Sequence, residues 1–120
     1  MRRIAALTST ALLGLVLLAG CGDSDAPAAS TDEPAVIKIT VDGDSVTPNG
    51  ERVEVAVDQP IELDVTADAP GEIHVHSEPE QEFEYTEGST TLKLNPVERP
   101  GIVDVESHTL DKTIVQLQVQ

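Results

Sequence analysis

Residues 36–65 read VIKITVDGDSVTPNGERVEVAVDQPIELDV, and apolar side chains fall on alternate positions in three successive runs. Ile37, Ile39 and Val41 share one face of a first run, Val53, Val55 and Val57 of a second, and Ile61, Leu63 and Val65 of a third. A period of two is that of an extended strand with one face turned to a core. The runs are separated by turn formers: Asp42-Gly43-Asp44, Pro48-Asn49-Gly50 and Asp58-Gln59-Pro60.

The same grammar continues to the end of the chain. Residues 66–71 (TADAPG) predict a loop, 72–76 (EIHVH) a fourth strand, and 91–94 a fifth after an acidic stretch. Arg99-Pro100-Gly101 reads as a turn, Val103 and Val105 mark a sixth strand, and Val115, Leu117 and Val119 a last one. Outside the extreme N-terminus no run of eleven residues has helical spacing. About seven short strands predict an all-β fold, a Greek-key β-sandwich or small barrel of one domain. Its core would be Val, Ile and Leu, with Phe83 and Tyr85 as the only aromatics. Each buried side chain contributes about 1.5–3 kcal/mol against a backbone cost of about 1–2 kcal/mol per ordered residue, so the expected margin is modest.

Charge excludes whole classes of partner. The 120 residues carry 22 Asp and Glu against 7 Lys and Arg, a net charge of −15. A surface of that sign repels phosphate backbones, which excludes nucleic acid, and it offers no polybasic patch to anionic lipid. One Cys rules out an intrachain disulfide, a Cys-rich zinc site and a C-x-x-C redox pair.

The N-terminus carries the address. Arg2 and Arg3 precede an uncharged, mostly apolar run over residues 4–20, short for a bilayer span and without a following basic cluster. This predicts an export signal over residues 1–20. The run ends Leu18-Ala19-Gly20-Cys21, which resembles the lipobox of bacterial lipoproteins. That resemblance implies cleavage before Cys21, diacylglycerol on its thiol and often a further acyl chain on the new amino terminus. Two or more acyl chains anchor a protein stably, which a single myristoyl chain does not. The competing reading is an ordinary secretory signal with a chance Cys. After Cys21 the small, acidic, Pro-bearing stretch to residue 34 cannot bury apolar area and predicts a tether, so residues 21–34 connect the anchor to a domain over 35–120.

Candidate chemistry rests on histidine. His74 and His76 are two apart on the fourth strand, so both leave one face while Ile73 and Val75 point to the core. His108, the third and last, ends the sixth strand after Asp104-Val105-Glu106-Ser107. Three neutral imidazoles with an open position suit Cu(II) or Zn(II), with copper favoured on affinity. Glu72, Glu78 and Glu106 are the nearest acids in sequence, and Glu72 and Glu106 are candidates to support the histidines from behind. The competing reading is that the strand histidines are half-exposed and merely solvated.

These residues carry a resemblance. The stretch EIHVH at 72–76, then Pro100-Gly101, Val105-Glu106 and His108, with Val41-Asp42-Gly43, Val46, Pro48, Leu117 and Val119, looks like cupredoxin-like domains of exported bacterial proteins. More specifically it is similar to the group found as lipoproteins or beside iron-uptake components, over nearly all of residues 36–120. The resemblance implies a cupredoxin-like sandwich and places His74 at the upstream copper histidine. His76 and His108 are extra to that pattern. A blue-copper site needs two His, a Cys thiolate and usually a weak axial Met. The resemblance puts Ser107 at the thiolate position, and the only Met and Cys are Met1 and Cys21, so type-1 electron transfer does not carry over.

Residues 78–87 (EPEQEFEYTE) alternate acids at Glu80, Glu82 and Glu84 with Gln81, Phe83 and Tyr85. A calcium-type site would need convergent carboxylates, and these lack D-x-D-x-D-G spacing, so a solvated edge that discourages strand addition is the better reading. Asp42 and Asp44 likewise read as a turn. Ser107 and His108 would point to opposite faces, and no Gly-rich phosphate loop, H-E-x-x-H or G-x-S-x-G occurs, so no enzyme is expected. The expectation is a lipid-anchored, extracytoplasmic module that binds Cu(II), or less readily Zn(II), through His74, His76 and His108. The alternative is a metal-free sandwich that meets a basic or membrane-protein partner through its acidic surface.

Overall fold

The period-two runs become strands wherever a buried face is available to them. The computed structural model describes residues 32–120. The expected signal over 1–20, Cys21 with its expected lipidation and the expected tether up to residue 31 lie outside the described residues. The strands are β1 (Ala35–Asp42), β2 (Ser45–Thr47), β3 (Glu51–Val55), β4 (Ile61–Ala67), β5 (Gly71–Val75), β6 (Gln81–Tyr85), β7 (Gly88–Leu94), β8 (Gly101–Ser107) and β9 (Lys112–Val119). There is no helix among the described residues.

Two sheets form, ordered β2-β1-β4-β7 and β3-β9-β8-β5-β6. The β1–β4 and β3–β9 pairs are parallel and the others antiparallel. Register sets Ile37 beside Leu63 and Ile39 beside Val65 in one sheet, and Val53 beside Leu117 in the other. The alternate apolar residues of both sheets therefore face one shared core, in which Leu63, Ile73, Val75, Val105 and Leu117 are fully buried. On β9 the alternation breaks at Ile114 and Val115, which are both buried. The ladder slips there, with Val105 opposite Val115 but Glu106 opposite Thr113, so Ile114 is the extra residue of a β-bulge.

Two strands exceed the seven expected from sequence. β2 has three residues and one buried side chain, Val46, too little for a periodic signal. β6 forms the edge of the five-stranded sheet, with Gln81 and Tyr85 inward, Phe83 half-buried and Glu82 and Glu84 exposed. From sequence this stretch reads as a solvated acidic edge and is not counted among the strands, and its two acids, Glu82 and Glu84, line the outer face of the edge strand. The expected loop over 66–71 also contracts, because Thr66 and Ala67 continue β4 and Gly71 begins β5.

Candidate metal centre

The site is built on β5, which lies between β8 and β6. Ile73 and Val75 are fully buried, and this fixes Glu72 and His74 on the outer face of the sheet. His76 follows the strand by one residue and keeps its line, because its N–H donates to the Asp104 carbonyl at 2.9 Å. The two imidazoles sit side by side with ring centroids 4.4 Å apart.

Glu80 meets them from the turn between β5 and β6. Its Oε2 lies 3.2 Å from His74 Nε2, and its Oε1 lies 3.7 Å from His76 Nδ1. That turn is fastened by buried polar groups. Ser77 Oγ donates to the Pro79 carbonyl at 2.7 Å and accepts from Gln81 Nε2 at 3.0 Å. Gln81 also accepts the Asn95 N–H at 2.7 Å and donates to the Asn95 carbonyl. Buried amides satisfied in this way are costly to disturb, so Glu80 hangs from a rigid loop.

Glu106 approaches His76 from the opposite neighbour, β8, with its Oε2 2.9 Å from His76 Nε2. A carboxylate only accepts, so each imidazole nitrogen facing one must carry hydrogen or face a cation shared with it. His76 lies between two carboxylates, and its pKa is raised above the ordinary 6.5. The hydrogen bond to Glu106 is the largest cause, the charges of Glu106, Glu80 and Asp104 add to it, and burial opposes it.

One ligand atom each from His74, His76 and Glu80 can be drawn with all three within 4.8 Å of one another, a group that could hold a metal ion. His108 stands outside that group. Its N–H donates to the Glu72 carbonyl at 3.0 Å, and its ring is edge-on to His74 at 6.3 Å between centroids. His108 therefore flanks His74 on the side away from His76. Of the acids near in sequence, Glu106 is bonded to His76, whereas Glu72 serves through its backbone and Glu78 pairs with Arg99 at 3.5 Å.

In the sequence Glu80 reads as part of a solvated acidic edge and not as a partner of the histidines, although the signal is present. The β5–β6 register pairs His74 with Glu82 and Val75 with Gln81, so its next step sets His76 against Glu80. Reading 71–85 as a hairpin would have joined them. At the position matched to the blue-copper thiolate, Ser107 is fully buried, and its Oγ accepts the Leu110 N–H at 3.2 Å. Residues 32–120 contain neither Cys nor Met.

No protein-family model matches the chain, and no curated protein matches it. Among solved structures it is similar to a multicopper oxidase from Pediococcus acidilactici, with TM-score 0.52 and 18% identity. The match covers 78% of this chain and 28% of the oxidase, so the chain spans under a third of that protein's length. A purple cupredoxin from Nitrosopumilus maritimus matches with TM-score 0.47 and 14% identity, over 70% of this chain and 99% of the cupredoxin. The nine strands in two sheets and the likeness to the oxidase identify the fold as a cupredoxin-like β-sandwich. That likeness is one of fold, and function must come from the site.

Proposed function

We propose that this chain is an extracytoplasmic, lipid-anchored module that binds one Cu(II) or Zn(II) ion through His74, His76 and Glu80, with His108 as a further imidazole beside them. The observation that carries the reading is the placement of Glu80 against both histidines on a fastened loop. Oxygen and nitrogen lone pairs repel at these separations unless a proton or a metal ion lies between them.

The donor set decides the kind of metal. A type-1 copper centre does not fit, because the described domain has no thiolate or thioether and Ser107 Oγ is engaged with Leu110. Two imidazoles and a carboxylate, exposed enough to leave further positions to water, suit Cu(II) or Zn(II), and the usual affinity order favours copper. Ligand atoms ~2 Å from a tetrahedral ion lie about 3.3 Å apart, so closure from 4.8 Å asks only for small side-chain rotations. The role would be sequestration, delivery or sensing at the envelope, without catalysis, with Cys21 as the anchor.

A second reading is favoured by the exposed carboxylates of Glu82 and Glu84 on edge strand β6, which would meet a basic envelope protein without metal. Cu(II) titration of the full chain, followed by EPR and calorimetry, separates the two. One-to-one binding with nitrogen hyperfine structure, lost in His74→Ala and His76→Ala, supports the metal module. Weak, multi-site uptake indifferent to both substitutions supports the second reading.

A further inference from the structure

The two ring nitrogens of His76 face different carboxylates, one on strand β8 and one on the β5–β6 turn. Nε2 is 2.9 Å from Glu106 Oε2, whereas Nδ1 is turned toward Glu80 Oε1 at 3.7 Å. Glu106 can only accept, so the hydrogen of the neutral ring is held on Nε2 and the lone pair is left on Nδ1. His74 offers the other nitrogen type, since its Nε2 faces Glu80 at 3.2 Å. Glu80 thus faces His76 Nδ1 and His74 Nε2, the latter carrying in the metal-free chain the hydrogen that an ion would replace, and Glu106 lies on the other side of His76.

We infer that Glu106 is a positioning residue that fixes the tautomer of His76, so that the ion is taken by His76 Nδ1, His74 Nε2 and the Glu80 carboxylate. This inference rests on the metal reading above and deepens it. The backbone supports the assignment. His74 and Glu106 are directly paired across β5 and β8, and the His76 N–H bond to Asp104 continues the same register, so the carboxylate and the ring are held by one ladder. A free imidazole would otherwise coordinate through either nitrogen by rotating about its side-chain bonds. A carboxylate bonded to the non-coordinating nitrogen fixes ring orientation and raises ligand basicity.

The test is imidazole nitrogen NMR on the full chain, ¹⁵N-labelled at histidine, in detergent, before and after Zn(II). Zinc is chosen because it is diamagnetic, and nitrogen shifts distinguish coordinated Nδ1 from coordinated Nε2. The expected result is one-to-one zinc with His76 bound through Nδ1 and protonated on Nε2, and His74 bound through Nε2. Glu106→Ala should lower zinc affinity about 10–100-fold and let His76 sample both nitrogens. Glu106→Gln keeps an acceptor oxygen and should retain the Nδ1 mode with a smaller loss, and circular dichroism checks that both variants fold. Coordination of His76 through Nε2 in the unsubstituted chain overturns the inference, as does an unchanged affinity and binding mode in Glu106→Ala. If zinc does not bind one-to-one at all, the metal reading itself fails and the inference falls with it.

Discussion

Ser107, fully buried at the end of β8, accepts the N–H of Leu110 on its Oγ at 3.2 Å and so closes the turn that begins with His108. The hydroxyl is therefore structural, and it lies on the core side of the strand that carries Glu106 outward. Ser107→Ala should cost about 1–2 kcal/mol, because the Leu110 N–H loses its partner, and urea unfolding would measure it. Ser107→Cys should give no intense visible copper band in the Cu(II)-loaded chain. Its thiol would point into the core, away from the outer face that holds His74 and His76, and an absorption spectrum decides the matter.

The pH behaviour of the metal-free protein has a definite sign. His76 titrates above its ordinary 6.5 in the folded chain, chiefly because of its hydrogen bond to Glu106. A raised pKa means the fold favours the protonated ring. The stability it adds is complete below about pH 6.5 and fades as pH rises through the folded value. The contribution is small, because both side chains are 38% exposed. NMR titration should find the His76 midpoint above 6.5, and Glu106→Gln should bring it back down.

Removal of single donors should rank them. Glu80→Ala removes a donor itself and is expected to weaken Cu(II) binding by at least the roughly 10–100-fold that loss of a group supporting a ligand costs. His108→Ala should cost less, since its ring lies outside the group formed by His74, His76 and Glu80. Glu78→Ala, which removes only the exposed partner of Arg99, should leave affinity unchanged. Calorimetric titration of the three variants would check the order.

The loop beneath Glu80 can be tested through Gln81. Gln81→Leu keeps the volume but leaves the Asn95 N–H without its acceptor, a loss of about 1–3 kcal/mol. The same change frees Ser77 Oγ from Gln81, so metal affinity should fall as well, although no ligand is altered. Chemical denaturation and a Cu(II) titration on one sample report both effects.

Gly71 opens β5 where Tyr85 crosses it. A Cβ there would meet the Tyr85 hydroxyl and lie 2.6 Å from Tyr85 Cζ, with Thr109 Oγ1 at 3.0 Å. Tyr85 is buried, and Thr109 Oγ1 holds the Glu72 N–H at 3.0 Å, so neither can yield freely. Gly71→Ala should destabilise by about 1–3 kcal/mol, as overpacking of a filled core does, and a thermal melt would show it.

Much of this was legible in the chain because burial writes itself into sequence at a period of two. Ile37, Ile39 and Val41, then Ile61, Leu63 and Val65, could face one core only as strands, and the sandwich followed from repeating that pattern. His74 and His76 were on one outward face by the same logic, since Ile73 and Val75 had to be inside. What stayed hidden had a local cause. β2 was too short to show a period, and the alternation of Gln81, Phe83 and Tyr85 with carboxylates was legible as an acidic edge but not as a strand paired with β5.

The sequence by itself determined the all-β character, the acidic surface and the lack of a thiolate in the domain, because each depends on residue type or on neighbours along the chain. Only the tertiary structure decided which side chains meet. Glu80 reaches the histidines through a hairpin register, and Glu106 reaches His76 from a strand thirty residues further on. His108, expected as their equal, is set beside His74 by its own backbone bond to Glu72. Periodicity fixes the face a residue occupies, but the neighbour across a sheet is set by pairing between distant segments, and no local pattern carries that information.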